Sequence, residues 1–457
     1  MPILDKNKDM KIFKITQSLI TTILLVLLGA FGGYYFGVRG YDVNVKNGIS
    51  KVEVINKNDV TSNNVNFERF WEVWDLINSK HIKKPLDQEK LVKGAIDGMI
   101  ASVGDPYTSY FDVQENTEVT NSLNGLYEGI GAQLGFNEAG QLIIVAPLDG
   151  SPALFSGIKS GDRILAIEGT DTIGASIESA VDKIRGKAGT QIALLLGRDG
   201  TDGPFEIKIT RDTIKLPSVK WEDKGDGIAY IRLSRFGAET NNEWTKSVNE
   251  IVSQVPNLKG VILDVRDNPG GFLDSAVFIS SEFVSDGVVV KEEVSDGTSQ
   301  NFKVDHKGQF VDSSLRLVVL VNQGSASASE IVAGALKERR GALIVGQRSF
   351  GKGTVQKSEE FADGASLHVT IAKWLTPDGN WIDKHNSEFK DSIYNEVKDE
   401  KNIVGGIKPD FIVDFTDEDI KAERDPQLDK SIEIIKSDDL FKSSIISKIL
   451  EQINASL

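Results

Sequence analysis

The chain contains no cysteine, which excludes disulfides and thiolate metal sites and fits either side of a membrane. Histidine is scarce. His81, His306, His368 and His385 stand far apart without HExxH-type spacing, so neither a catalytic metal nor a cofactor is expected. Positive charge is also short. Fifty-two lysines and arginines against 67 aspartates and glutamates leave a net charge of −15, which argues against nucleic acid and against broad adhesion to anionic lipid. Apolar content of 40% and charged content of 26% are ordinary for a globular protein, and 457 residues suffice for two or three domains with sizeable cores.

Long charge-free apolar stretches are missing save one, from Ile15 to Val38, behind Lys6, Lys8, Lys11 and Lys14. As a helix it is long enough to cross the ~30 Å core of a bilayer. Lysines on its N-terminal side keep that side in the cytoplasm, which places the rest outside the cell membrane on a single-pass anchor. A cleaved signal peptide is the rival reading, with Ala30-Phe31-Gly32 a passable cleavage site, although the stretch is long for a signal core. Residues 1–38 are thus taken as a basic segment and transmembrane anchor, and the polar residues 39–65 as a linker with some strand potential.

The chemistry concentrates between Leu315 and Gln356. The β-branched run Leu317–Val321 breaks at Asn322-Gln323-Gly324, and Ser325-Ala326-Ser327-Ala328-Ser329 follows. Ile331, Val332, Ala335 and Leu336 then recur at helical spacing. A second apolar run, Ala342–Val345, leads to Gly351-Lys352-Gly353. A serine at a strand-to-helix turn suits a nucleophile, because the helix start offers free N–H groups for an oxyanion. With no histidine nearby in sequence, Lys352 is the natural base. Two plainer readings compete. Ser327 to Glu330 matches a capping box, and Gly346 to Lys352 resembles a phosphate-binding loop, though Gly353 stands where that loop needs a hydroxyl.

This stretch closely resembles the carboxy-terminal processing peptidases, or tail-specific proteases, in its SASASE-type turn and its FGKG segment followed by Val355-Gln356. The resemblance implies Ser327 as nucleophile, Lys352 as base and Gln356 as the residue that supports the lysine. Arg348-Ser349 replaces the family's usual Pro-Thr, a change not expected to disturb the chemistry. Val261–Val265 reads as a buried strand ending in Arg266-Asp267-Asn268-Pro269-Gly270-Gly271. The resemblance implies that one oxyanion N–H comes from this turn, from Gly270 or Gly271, and the other from Ala328.

Tyr127-Glu128-Gly129-Ile130-Gly131-Ala132, with the alternating runs that follow it, resembles a PDZ domain over residues 115–212. Gly129, Ile130, Gly131 and Ala132 would form the loop whose N–H groups hold a terminal carboxylate. Residues 66–114 read as two helices with an aromatic face at Phe67, Phe70, Trp71 and Trp74. That face serves packing or, alternatively, self-association into a homo-oligomer. Gly104-Asp-Pro-Tyr-Thr-Ser-Tyr110-Phe111 resembles a segment that precedes the PDZ domain in the family. Residues 213–416 form the protease core, with a polar insertion at Asp383–Gly405 expected as a surface loop, and 417–457 a helical tail. The expected fold class is α/β: a transmembrane helix, a helical region, a PDZ domain and a crotonase- or ClpP-like core. The expected activity is a membrane-anchored, extracytoplasmic serine endopeptidase acting on protein or peptide substrates with free C-termini. A catalytically silent peptide-binding scaffold and a crotonase-like thioester enzyme are the alternatives.

Overall fold

A computed structural model gives the fold and describes residues 67–384 apart from 138 and 149, residues 403–441 apart from 423 and 440, and pieces of 24–31, 41–54 and 396–397. The chain divides into two compact units, Met1–Val92 and Lys93–Leu457. In the first, β1 (Tyr41–Lys46) and β2 (Ile49–Val54) pair antiparallel inside the stretch taken as a linker. Helix α1 (Glu68–Lys80) buries none of its residues. Its aromatic rings contact one another, Phe70 lying 5.0 Å from Trp71, and Phe67, Phe70 and Trp71 remain exposed.

Among the described residues no helix is long and apolar enough to cross a membrane. The expected anchor, Ile15–Val38, lies largely outside the described residues. Its described members, Leu24, Val26, Leu27, Leu28, Ala30 and Phe31, are helical and exposed.

After α2 (Gln88–Ala101) the chain forms β3 (Ser109–Phe111) and α3 (Val113–Leu123), whose start carries an Asp112–Glu115 capping box. Next comes a small β-domain: β4 (Leu126–Gly129), β5 (Ala132–Phe136), β6 (Leu142–Pro147), α4 (Pro152–Phe155), β7 (Arg163–Ile167), β8 (Thr170–Asp171), α5 (Ile177–Ile184), β9 (Gln191–Gly197), β10 (Phe205–Thr210) and β11 (Asp212–Lys215). The strands run in the order β10-β9-β7-β6-β5. Alternate residues such as Ile192, Leu194 and Leu196 are buried, each stabilising the domain by roughly 1.5–3 kcal/mol. The chain enters through β4 and leaves through β11, which pair antiparallel, Gly129 opposite Asp212.

The larger domain contains β12 (Val219–Asp223), β13 (Ile228–Leu233), α6 (Thr240–Gln254), β14 (Gly260–Asp264), α7 (Leu273–Ser281), β15 (Val288–Val294), β16 (Ser299–Lys303), β17 (Arg316–Val321), α8 (Ala328–Arg339), β18 (Leu343–Gly346), β19 (Thr354–Glu360) and β20 (Ser366–Leu375). They are followed by β21 (Glu396–Val397), β22 (Ile403–Val404), β23 (Phe411–Ile412), α9 (Asp417–Lys421) and α10 (Pro426–Lys436). The main sheet runs β12-β13-β14-β17-β18-β23 and is parallel from β13 onward. Both faces are covered, so β17 is apolar without interruption. Leu317, Val319 and Val321 join the core with α6, α7 and α8, while Val318 and Leu320 meet Ile434 and Ile435 of α10. A second sheet, β16-β15-β20-β19, takes β3 as an edge partner of β20.

Of the polar insertion, β21 and β22 pair with each other, and most of the rest lies outside the described residues. Its roots are fixed. The Lys384 amide donates to Gly351 O at 3.1 Å and the Gly406 amide to Ile382 O at 2.8 Å, so the insertion springs from beside the glycine-bracketed lysine. The helical spacing at Leu440, Ile445, Ile446 and Leu450 lies outside the described residues.

Candidate active site

Two parallel strands, β14 and β17, end side by side, and each feeds a turn and a helix. The turns are laced together. Asp267 N–H donates to Asn322 Oδ1 and Asn322 Nδ2 returns a bond to Asp267 Oδ1, both at 2.8 Å. Asp267 therefore cross-links the two turns.

The three serines after β17 part company here. Ser325 Oγ donates to Val265 O at 2.7 Å and Ser329 Oγ to Asn268 O at 2.8 Å, and both residues are buried. Their hydroxyls hold the neighbouring turn. Ser327 is partly exposed, at the N-terminus of α8, with φ 54° and ψ −114°. Such a backbone is strained for a residue with a Cβ, by about 1–3 kcal/mol, and a sharp turn of this kind lifts a side chain clear of the helix.

Glu330 holds the strain in place. Its carboxylate is fully buried and accepts four hydrogen bonds. Oε2 takes the Ser327 amide at 2.8 Å and the Lys352 amide at 2.9 Å; Oε1 takes Ser349 Oγ and the Gly351 amide, each at 2.6 Å. Burial pushes this carboxyl above the usual range, and the four donors work against the shift. One carboxylate oxygen thus fixes the main chain of Ser327 and of Lys352 together. The capping box anticipated only the bond to Ser327. The other three depend on the loop 349–352 returning in space, for which sequence spacing carries no signal. Ser349, one of the two departures from the family pattern, is thereby part of this framework.

Lys352 is half-buried. Its carbonyl accepts from Trp374 Nε1 at 2.9 Å, and its Nζ stands 5.1 Å from the centre of the Tyr107 ring. Burial lowers its pKa from the ordinary 10.5, outweighing the carboxylates of Glu330 and Asp105. No hydrogen bond joins Lys352 Nζ to Ser327 Oγ or to Gln356. Gln356 lies after a bulge in β19, and its Nε2 donates to Thr354 Oγ1 at 2.8 Å and Thr370 Oγ1 at 3.1 Å. His368, on β20, has its pKa lowered by burial and then by Lys352.

The amide of Gly270 donates to Asn268 Oδ1 at 2.9 Å, whereas the amides of Gly271 and Ala328 have no hydrogen-bond partner among the described residues. Gly270 has φ 103°, and a Cβ there would stand 3.0 Å from both Ala328 N and Ser327 Cβ, so glycine lets this turn press against the serine. A cavity of about 440 Å³ opens beside Gly270 and Pro269 and extends to Leu123, Tyr127, Leu216 and Arg235, where the chain crosses to and from the small domain. In that domain the carbonyls of Ile130 and Gly131 accept from Ala153 and Leu148 at 2.8 and 2.9 Å, which fixes the Gly129–Ala132 loop above the edge strand β5. Helix α5 packs on β5 and β7.

Residues 227–412 match the family described as Peptidase family S41, residues 121–197 the PDZ domain, and residues 26–115 the N-terminal domain of the activating protease CtpB. The chain is 36% identical over 347 residues to the carboxy-terminal processing protease CtpA of Bacillus subtilis, covering 76% of this chain and 72% of that protein. It is 38% identical over 318 residues to a carboxy-terminal-processing protease of Bartonella bacilliformis, covering 69% and 72%. A solved putative S41 protease from Bacteroides fragilis shares the fold, with TM-score 0.52 and 14% identity over 80% of this chain and 97% of that one.

Proposed function

The chain belongs to peptidase family S41 and is a serine-type peptidase related to the carboxy-terminal processing proteases, and from that premise we propose that it captures the C-terminus of a protein or peptide in its PDZ domain and cuts the chain upstream with a Ser327–Lys352 dyad. The observation that carries the dyad is the single Glu330 oxygen bonded to both main-chain amides. Ser327 Oγ attacks the scissile carbonyl and passes its proton to neutral Lys352. The amides of Ala328 and Gly271 hold the oxyanion. Lys352 then protonates the leaving amine, and its neutral side chain takes a proton from the water that attacks the acyl-enzyme and returns it to Ser327 Oγ as the ester bond breaks. The two side chains close to hydrogen-bond distance when substrate is engaged. Gln356 acts on the lysine indirectly, through Thr370 and the strand it belongs to. The scaffold and thioester alternatives find no support in these relatives.

Terminal capture has a direct test. With matched peptides, amidating the C-terminus is expected to lower kcat/KM several-fold or more, because a neutral amide forfeits charge-assisted bonds to the loop amides. Gly131→Val should do the same with free-acid peptides. Gly131 has φ 72°, and a Cβ there would meet Ser151 Cβ at 2.5 Å and Ile214 Cδ1 at 2.8 Å. Equal cutting of acid and amide would refute capture.

We place the catalytic part outside the cell membrane, on an uncleaved anchor at residues 15–38. The apolar run and its lysines support this, as does the exposure of Leu24, Val26 and Leu27. Protein expressed in bacteria is expected to stay with membranes after an alkaline wash and to be digested by protease added outside them. A mature N-terminus near Gly32 would reject the anchor. The exposed aromatic face of α1 is the surface offered for self-association, which sedimentation of the detergent-solubilised chain would read.

A further inference from the structure

The main chain around Lys352 is held by Glu330, by Trp374 and, at Gly353, by Trp381 Nε1 and Asp383 Oδ2. All of these belong to the protease domain, and none of these bonds involves the amine. The aromatic ring that faces the amine comes from elsewhere in the chain, from the segment Gly104–Phe111 ahead of the PDZ domain, outside residues 227–412.

That segment is built to present one side chain. Asp105 Oδ1 accepts from the Tyr107 amide at 3.0 Å and Oδ2 from Thr108 Oγ1 at 2.6 Å, closing a turn on itself. Thr108 Oγ1 also accepts from the Thr370 amide at 3.1 Å, which pins the turn to β20. Beyond it β3 pairs with β20, Tyr110 opposite Leu367, and Phe111 meets the His368 ring edge-on at 4.9 Å. Thr370 is the residue whose hydroxyl accepts from Gln356. The outcome is a partly buried Tyr107 with its ring face toward Lys352 Nζ at 5.1 Å, within the range of a cation–π contact.

We infer that Tyr107 is a positioning residue for the catalytic base: its ring covers the Lys352 amine and fixes its rotamer, so that a segment outside the protease domain completes the active site. The inference rests on the reading of Lys352 as the base. Aromatic contact and exclusion of water act in opposite directions. A cation–π contact favours the ammonium, and a dry environment favours the amine. Burial is the largest influence on Lys352, and the Tyr107 ring 5.1 Å from Nζ is part of what buries it. The other groups facing this corner are Glu330 and Asp105, whose charges oppose the lowering, and His368 on β20; Asp383 faces Tyr107. Burial, with those three carboxylates, pushes the Tyr107 phenol up to about 12, so it stays neutral while the lysine titrates.

The test is the pH dependence of kcat/KM for peptide cleavage by the full chain, from neutral to alkaline pH. Tyr107→Ala is expected to admit water to the amine, move the rising limb up by about one pH unit, and lower kcat at neutral pH about tenfold with KM little changed. Tyr107→Phe keeps the ring and is expected to restore both the limb and kcat. Thr108→Ala, a milder change, unpins the same turn and is expected to move the limb in the same direction by less. It carries the test if Tyr107→Ala does not fold by circular dichroism. An unmoved limb in the folded variants, or a Phe variant as impaired as the Ala variant, overturns the proposal. Activity in Lys352→Arg would instead remove the base itself. With that variant inactive and the limb unmoved by Tyr107→Ala, only the role of Tyr107 falls.

Discussion

Ser327→Ala is expected to lower kcat by about 10⁴-fold or more and to leave the melting temperature within about 2 °C of wild type. The first half follows from losing the atom that attacks. The second follows because the bonds that order this turn, Ser327 N–H to Glu330 and Glu330 N–H to Ser327 O, both 2.8 Å, belong to the main chain of residue 327 and survive the change. Ser325→Ala and Ser329→Ala should give the opposite pattern. Each loses a buried hydroxyl that satisfies a carbonyl of the facing turn, at a cost of about 1–3 kcal/mol, and retains measurable turnover. Mass spectrometry of products from a C-terminally tagged substrate, with thermal unfolding of each variant, separates the two. If Ser327→Ala keeps turnover and loses only stability, its serine is a helix cap and the dyad is wrong.

For wild type, kcat/KM is expected to rise with pH along a limb whose apparent pKa lies below the ordinary lysine value of 10.5, since only the deprotonated amine accepts the serine proton. The sign follows from burial lowering this pKa: the base form gains as pH rises through it, and the limb flattens above it. Lys352→Arg and Lys352→Ala should be equally inactive, each lower by about 10²–10⁴-fold. Guanidinium keeps the charge and cannot give up its proton. Because Glu330 grips the Lys352 amide and not its side chain, the loop should keep its shape in both variants. Near-normal activity in Lys352→Arg would sink the dyad and make His368 the next candidate base.

Much of the proposed site was legible because its residues sit in short local patterns. The break of β17 into small residues and the glycines around Lys352 mark a turn and a close approach wherever they occur. The family spacing selects Ser327, and the structure supplies a physical ground for that choice by engaging the hydroxyls of Ser325 and Ser329. The preference for Gly271 over Gly270 in the proposed mechanism was not legible. It turns on whether Asn268 folds back to take one amide, which depends on the Asn268 Nδ2 bond to Leu233 O. Gln356 illustrates another limit. Its distance from Lys352 along the chain is plain, but the bulge at Val355–Gln356 sets where its amide is aimed. Tyr107 is the furthest from view, separated from Lys352 along the chain by the PDZ domain and brought to it by the Thr108–Thr370 bond and the pairing of β3 with β20. In the fold, buried strands and amphipathic helices followed the apolar pattern. The aromatic face of α1 did not, because periodicity reports that a face is apolar without saying what covers it.

With Ser327 as the proposed nucleophile, its left-handed backbone places thermal tolerance and turnover in opposition at one codon. Glycine would release about 1–3 kcal/mol of strain against an entropic penalty of about 0.5–1 kcal/mol. A library screened for survival on heating alone should therefore drift toward glycine at 327 and return hardy, inert molecules. One screened for cleavage would hold the serine and gather its stabilising changes elsewhere, for instance on the open surface of the small domain. Sequencing survivors of the two screens would show which demand has shaped this turn.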